Sequence, residues 1–541
     1  MKTLKTSLSL YVLLAAVGLV LGLAVAITHL MEGGATSQGV IAVGVLLALA
    51  FGGLFGLWWW GGHERWLGWM MGGAFLLRLV LGLGLSLALP EWGYDTPQQN
   101  RGYLYYDAFK RDQQAWEVAI SSAPVISALG GRYVSDQYGG MLALSALVYR
   151  YLSPDQHRPW LILILTAWAG AAGMPFLAHV LNRAPFKGAR CVAIAILAFY
   201  PEAVFLGASQ MRDPFLIALG AVILWALWER EPATLKARLR WGGIAFALML
   251  LFSWLAASVW LFVVLSGGLF YYLSQIKIER RWQWVGISIA VLGLLGLVAF
   301  GGWLQRVAAW DAYLTQRGSG WVQKLLGELP SSLELPFIVT YGLFQPVLPA
   351  AVFDPSLPIW NAISTLRALG WYAILPVLFY APWALRHPRE RSWRLMLLWL
   401  IGVAWGWMIL ASLRAGGDLW DNPRYRTMLL PVLALLVAWA YHLAREARDP
   451  WLWRWFAVEG VGLAFFTEWY VSRTYRILPR LPFWIMIGGI VVGAGLILMG
   501  GWLWDRHQAS RGVFRSNGAG ACMGESGKDV EAVASPKRVQ K

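Results

Sequence analysis

Nine stretches of this chain are long and apolar enough to cross a lipid bilayer, and no other feature limits its fold as tightly. They cover residues 8–30, 38–60, 66–90, 160–181, 284–304, 365–385, 394–413, 427–444 and 482–504. A hydrocarbon core about 30 Å thick takes about 20 helical residues to cross. The alternating polarity of a lipid-exposed strand is absent, so the backbone must satisfy its own hydrogen bonds within helices. The expected fold is all-α, a polytopic transmembrane helix bundle whose loops carry short helices. The composition agrees: 58% of residues are hydrophobic, 14% are charged, and the mean hydropathy is +0.54.

Basic residues set the expected orientation. The net charge of +16 sits in short clusters between spans, not along one face, so orientation explains it better than nucleic-acid binding. Arg183 to Arg190, Arg230 to Arg240, Lys277 to Arg281 and Arg386 to Arg394 are placed in the cytoplasm by the positive-inside rule, together with the N-terminus. Lys2 and Lys5 precede an apolar stretch too long for a cleaved signal, which is taken as the first span. Counting from that side puts four segments on the outer face: 91–137, 209–214, about 303–367 and 413–426. For this parity to hold, residues 138–152 form a short outer-face or re-entrant helix, and residues 241–273 form a helical hairpin around Ser253 and Ser258.

The expected organisation is N-terminal spans over 1–90, an outer acidic loop over 91–137, a bundle over 138–303 with its outer turn at 209–214, an outer loop over 304–364, C-terminal spans over 365–504, and a disordered tail over 505–541. Cys191 and Cys522 provide neither a disulfide framework nor a metal cluster.

Three outer segments hold residues suited to chemistry. The first gathers Asp95, Asp107, Asp112, Glu117 and Asp136 beside Tyr94, Tyr103, Tyr105, Tyr106 and Trp116: carboxylates that could deprotonate an acceptor, and aromatic faces that could stack on sugars. On a helix, Asp107 and Arg111 are four apart and would pair, and a solvated salt bridge is the bland reading. Asp107 and Asp112 cannot share a helical face. The second segment, Ser209 to Pro214, carries Arg212 and Asp213, where Asp also serves simply as a helix-start residue. The third, Asp418 to Arg426, brings Arg424, Tyr425 and Arg426 to a span's outer edge. A guanidinium there suits a phosphate, and pairing with Asp418 or Asp421 is the equal alternative. Arg78, inside the third run, needs an interior partner.

These segments, in this order, resemble the membrane C-fold (GT-C) glycosyltransferases, the group that includes the protein O-mannosyltransferases and the lipid A aminoarabinose transferases. The likeness rests on the acidic loop with Asp107 and Asp112, on Pro201 followed by the Ser209 to Pro214 turn, and on Arg424-Tyr425-Arg426 before a late span. It implies inverting transfer of a sugar from a polyprenyl-phosphate donor to a lipid, glycan or protein acceptor on the outer face. Asp107 or Asp112 would be the base and Asp213 would orient the reactants. Arg424 and Arg426 would hold the phosphate, with Arg111, Asp136, Arg212 and Tyr425 lining the substrate. Some members use a divalent metal such as Mg or Mn, and no ligand spacing here is diagnostic of one. A polysaccharide polymerase or ligase is the first alternative, and a lipid or solute transporter the second. The outer loops lack glycosylation sequons, which points to a prokaryotic plasma membrane.

Overall fold

The computed structural model describes residues 2–31, 34, 36–130, 139–182, 186, 188–228, 235–275, 320–387, 391–477 and 479–521. The regular structure of the described residues is entirely helical, with no strands among them. Among the described residues seven helices are long and apolar enough to cross a membrane, or nine if each of two bent pairs counts as one span, so the chain is an integral membrane protein. The apolar run at 284–304 lies outside the described residues. The chain divides into two compact units, Met1–Leu452 and Trp453–Lys541.

Local chemistry sets the helix limits. Ser37–Trp60 starts at Thr36, whose hydroxyl accepts from the Gly39 amide. It ends at a tight turn in which Gly62 takes φ +93°, a conformation that strains any other residue. The turn delivers the chain to Arg65–Trp92, and Glu64 ties it to Arg190 at 2.8 Å. That guanidinium holds the Glu64 carboxyl below its usual range.

The centre of the first unit is Trp160–Leu181, flanked by Ser37–Trp60, Arg65–Trp92 and Asp213–Trp228. Beside it, Arg190–Phe199 and Pro201–Gly207 form one broken helix, bent by 47°. Pro201 has no amide to give the Leu197 carbonyl. Arg78 takes that place: wholly buried, it donates to the carbonyls of Leu197 at 3.2 Å, Ala198 at 2.7 Å and Ala74 at 3.0 Å. This is the interior partner its position demanded.

Leu235–Phe252 and Trp254–Gln275 meet at Ser253, where the chain reverses. Ser253 and Ala256 sit beside Asp213 at one end, while Gly267 packs on Leu227 and Trp399 toward the other. Gly140–Leu152 is a short helix packed on Tyr106–Ile120.

Two boundaries differ from expectation. The helix Pro358–Ala384 begins within the segment expected to be a loop up to 364, with Pro358 in its first turn, where a missing amide costs nothing. In the second unit, Phe483–Ala521 continues past Asp505, where a structureless tail was expected. The apolar run nucleates that helix, and Arg454 pairs with Asp505 at 2.7 Å at the crossover.

Candidate functional site

Three helices meet at one end of the first unit. The helix Tyr106–Ile120 is amphipathic and places Asp107 in its first turn, where the helix dipole favours a carboxylate. Asp213 opens Asp213–Trp228 with Pro214 behind it, as the Asp-Pro sequence anticipates. The short helix Asp421–Thr427 lies 75° off the following helix Leu430–Glu446. Its start is fixed by Asp418, whose Oδ1 accepts from the amides of Trp420 and Asp421, each at 2.6 Å.

Arg424, from this last helix, is the centre. Its Nη1 lies 3.1 Å from Asp107 Oδ2 and 3.5 Å from Asp421 Oδ1, and its Nε lies 3.3 Å from Asp213 Oδ2. The Asp213 side chain is 9% exposed and that of Asp107 54%, so the first anchors the guanidinium and the second faces outward. Asp107, Asp213 and Arg424 therefore come together from three segments of sequence. Asp421 joins them from the Asp418-to-Arg426 stretch, where it was weighed only as an alternative partner for arginine.

The remaining candidates make other contacts. Arg111 donates to the Gln210 carbonyl at 3.0 Å, while Asp107 meets Arg424. Asp112 is buried: it accepts from the hydroxyls of Tyr103 at 2.5 Å and of Tyr149, and His157 Nε2 lies 2.8 Å away. Burial, followed by the nearby Asp112 charge, pushes the Tyr103 phenol far up, so it stays a neutral donor. Asp112 thus anchors its helix. Arg426 stacks 3.8 Å from the Trp371 ring and donates to the carbonyls of Leu343 and Gln345, so its fork is occupied by backbone. Tyr425 lines the cleft beside Arg424, with its carbonyl given to the Trp407 indole and its ring to Arg414, 4.7 Å away. Asp136 lies outside the described residues.

A cleft opens beside the cluster, lined by Arg212, Asp213, Ser253, Trp407, Arg414 and Arg424. Arg414, the last-turn residue of Arg391–Ala415, was not singled out in the sequence. The signal was present, since a third arginine beyond Arg424 and Arg426 sits at the same end of a span. On the other flank, Arg367 and Glu202 form a buried pair, with Nη2 3.1 Å from Oε1, and Arg367 lies over the Trp420 ring at 4.1 Å. This pair holds Trp420 against the N-terminus of Asp421–Thr427. Tyr105, buried beside it, keeps a hydroxyl with no hydrogen-bond partner among the described residues.

Among the described residues no group of three or more His, Cys, Asp or Glu is arranged to hold a metal ion, and the point on which the three carboxylates converge is taken by the Arg424 guanidinium. Comparison with protein-family models, curated proteins and solved structures found no match.

Proposed function

We propose that this protein is an integral membrane glycosyltransferase of the C-fold kind, moving a sugar from a polyprenyl-phosphate donor to an acceptor hydroxyl on the outer face of a prokaryotic plasma membrane, with its N-terminus in the cytoplasm. The observation that carries the reading is the meeting of Asp107, Asp213 and Asp421 on Arg424. Asp107 is the base. Its carboxylate is accessible, and Arg424 fixes one of its oxygens. The acceptor oxygen attacks the anomeric carbon opposite the phosphate and its proton passes to Asp107. The bond from that carbon to the phosphate oxygen breaks, its electron pair leaves with the phosphate, and the configuration inverts.

Asp213 and Asp421 orient Arg424, and through it Asp107. Arg424 is engaged by three carboxylates and Arg426 by two carbonyls, and Arg212 and Arg414 line the adjoining cleft with Arg424, where their positive charge would stabilise the phosphate. Guanidinium groups fixed before the reaction stabilise a departing phosphate without reorganisation.

A second reading, a lipid or solute transporter, draws on one observation. Both broken helices pack on each other, Arg190–Phe199 against Leu430–Glu446 and Pro201–Gly207 against Asp421–Thr427. Paired discontinuous helices are a common way to build a transport site.

The test is turnover in liposomes with a radiolabelled polyprenyl-phosphate sugar and a mixture of acceptors. Release of polyprenyl phosphate in the wild type, abolished in Asp107→Asn with the protein still folded, supports the transferase. Full release in Asp107→Asn removes the base assignment, and transbilayer movement of the intact labelled lipid without release favours the transporter.

A further inference from the structure

The loop region that carries Asp107 has a second face, which the carboxylate cluster does not use. From Val118 to Gly130 it contains no Asp, Glu, Lys or Arg. Ile120 is 63% exposed, Ile126 72%, and Tyr151, on the neighbouring helix Gly140–Leu152, 70%. Leu129 and Leu147 are exposed as well, and the three elements that carry these residues pack on one another. A contiguous patch of this kind marks a surface that something covers.

The backbone beneath the patch is prepared for a low-dielectric medium. Residues 121–124 are not helical, and irregular backbone survives at membrane depth only where protein satisfies its polar groups. Here Arg150 donates to the carbonyls of Val118, Ala119, Ser121 and Ala123, while the Ser121 hydroxyl donates to Val118 and accepts from the Ala123 amide. Water would solvate those carbonyls unaided. Hydrocarbon would not, and then one guanidinium closing off four of them becomes necessary.

Position agrees. Gly140 packs backbone to backbone on Leu251 and Phe252, at the tip of the apolar hairpin that reverses at Ser253. Leu251 and Trp254 at that tip are themselves exposed. The short helix thus abuts the exposed apolar tip from which Trp254–Tyr272, long and apolar enough to cross a membrane, sets out.

We propose that the Ile120–Leu129 segment, together with Leu147 and Tyr151, is seated in the lipid leaflet on the side of the candidate site, at the boundary between headgroups and acyl chains. Interfacial segments of this type bury one apolar face and keep the other in water. The consequence is that the Asp107 helix is held at the bilayer surface by lipid contact at its C-terminal end. This inference stands whether or not the site transfers sugars.

The experiment places a single cysteine at Ile126, in a background with Cys191→Ser and Cys522→Ser, labels it with an environment-sensitive fluorophore, and reconstitutes the full chain in phosphatidylcholine liposomes. A second single-cysteine protein, labelled at exposed Gln113, is the aqueous reference. The expected result is blue-shifted emission at 126, quenching by lipids with a nitroxide near the headgroup, and iodide quenching several-fold weaker than at 113. Equal iodide quenching at the two positions would overturn the proposal. So would protection of 126 from both quenchers, since a protein surface or a second copy would then be the cover.

Discussion

Replacing Arg424 with Gln leaves three carboxylates facing one another around an empty centre, and the cost follows from the geometry. Arg424 Nε is 3.3 Å from Asp213 Oδ2. At an effective dielectric near 20, unit charges at that separation attract by roughly 5 kcal/mol. Most of that attraction repays the removal of both groups from water. Breaking such a pair from one side costs about 3–5 kcal/mol, because the remaining charge is buried and uncompensated. Asp107 and Asp421 are 54% and 45% exposed, so solvent screens them and each adds at most about 1 kcal/mol. The loss should therefore rest on Asp213. Asp213→Asn in the Arg424→Gln background removes the stranded charge and should recover about 2 kcal/mol or more, a coupling typical of residues in direct contact. The assay is the apparent Tm of the detergent-purified protein, followed by the monodisperse fraction left after heating, for the wild type, both single variants and the double. The double variant should melt above Arg424→Gln. A double variant less stable than either single one, or an Arg424→Gln protein as stable as wild type, would refute it.

The Arg78 account makes a similar demand: Arg78→Leu strands the carbonyls of Leu197 and Ala198 at a cost of about 2–4 kcal/mol. Pro201→Ala, which returns an amide to Leu197, should restore part of the lost Tm. Asp112→Ala should destabilise by about 2–4 kcal/mol, since it leaves the buried phenols of Tyr103 and Tyr149 without an acceptor, while Asp107→Ala changes the Tm little. At the far side of the bundle, burial would raise the Asp449 carboxyl, but His387, the Trp451 amide, Tyr380 and Arg386 outweigh it and hold the carboxyl below its usual range. A depressed folded pKa gives stability that is complete above the unfolded value near 3.9 and is lost as pH falls through the folded value. Wild type should thus lose more Tm than Asp449→Asn as pH falls from about 5 toward 3, and parallel losses would show that Asp449 makes no such contribution.

What the sequence reveals and what it hides divide along one physical line. Spans are legible because hydrocarbon thickness sets a length that any apolar run must meet. The turn at Asp213-Pro214 is legible because helix starts obey local rules. Partners are different. Asp107 has an arginine four residues away, and helical spacing favours that pair, yet the guanidinium it meets is 317 positions distant. The Arg367–Glu202 pair spans 165 positions and is hidden for the same reason. Arg150 shows a further limit: it sits in an apolar helix as an ordinary basic residue, and only the fold shows that it closes four carbonyls of another segment.

Spacing could nonetheless have done more at the third segment. Residues two apart on a helix point about 200° away from each other, so Arg424 and Arg426 cannot both face one phosphate while Asp421–Thr427 is helical. The structure separates them in this way, with Arg424 toward three carboxylates and Arg426 toward Trp371 and two carbonyls. The same reasoning had already set Asp107 apart from Asp112. A pair of like residues close in sequence is thus weak support for a shared ligand until the helix between them is taken into account. At this site the arginines that do share a cleft, Arg212, Arg414 and Arg424, come from separate segments of the chain.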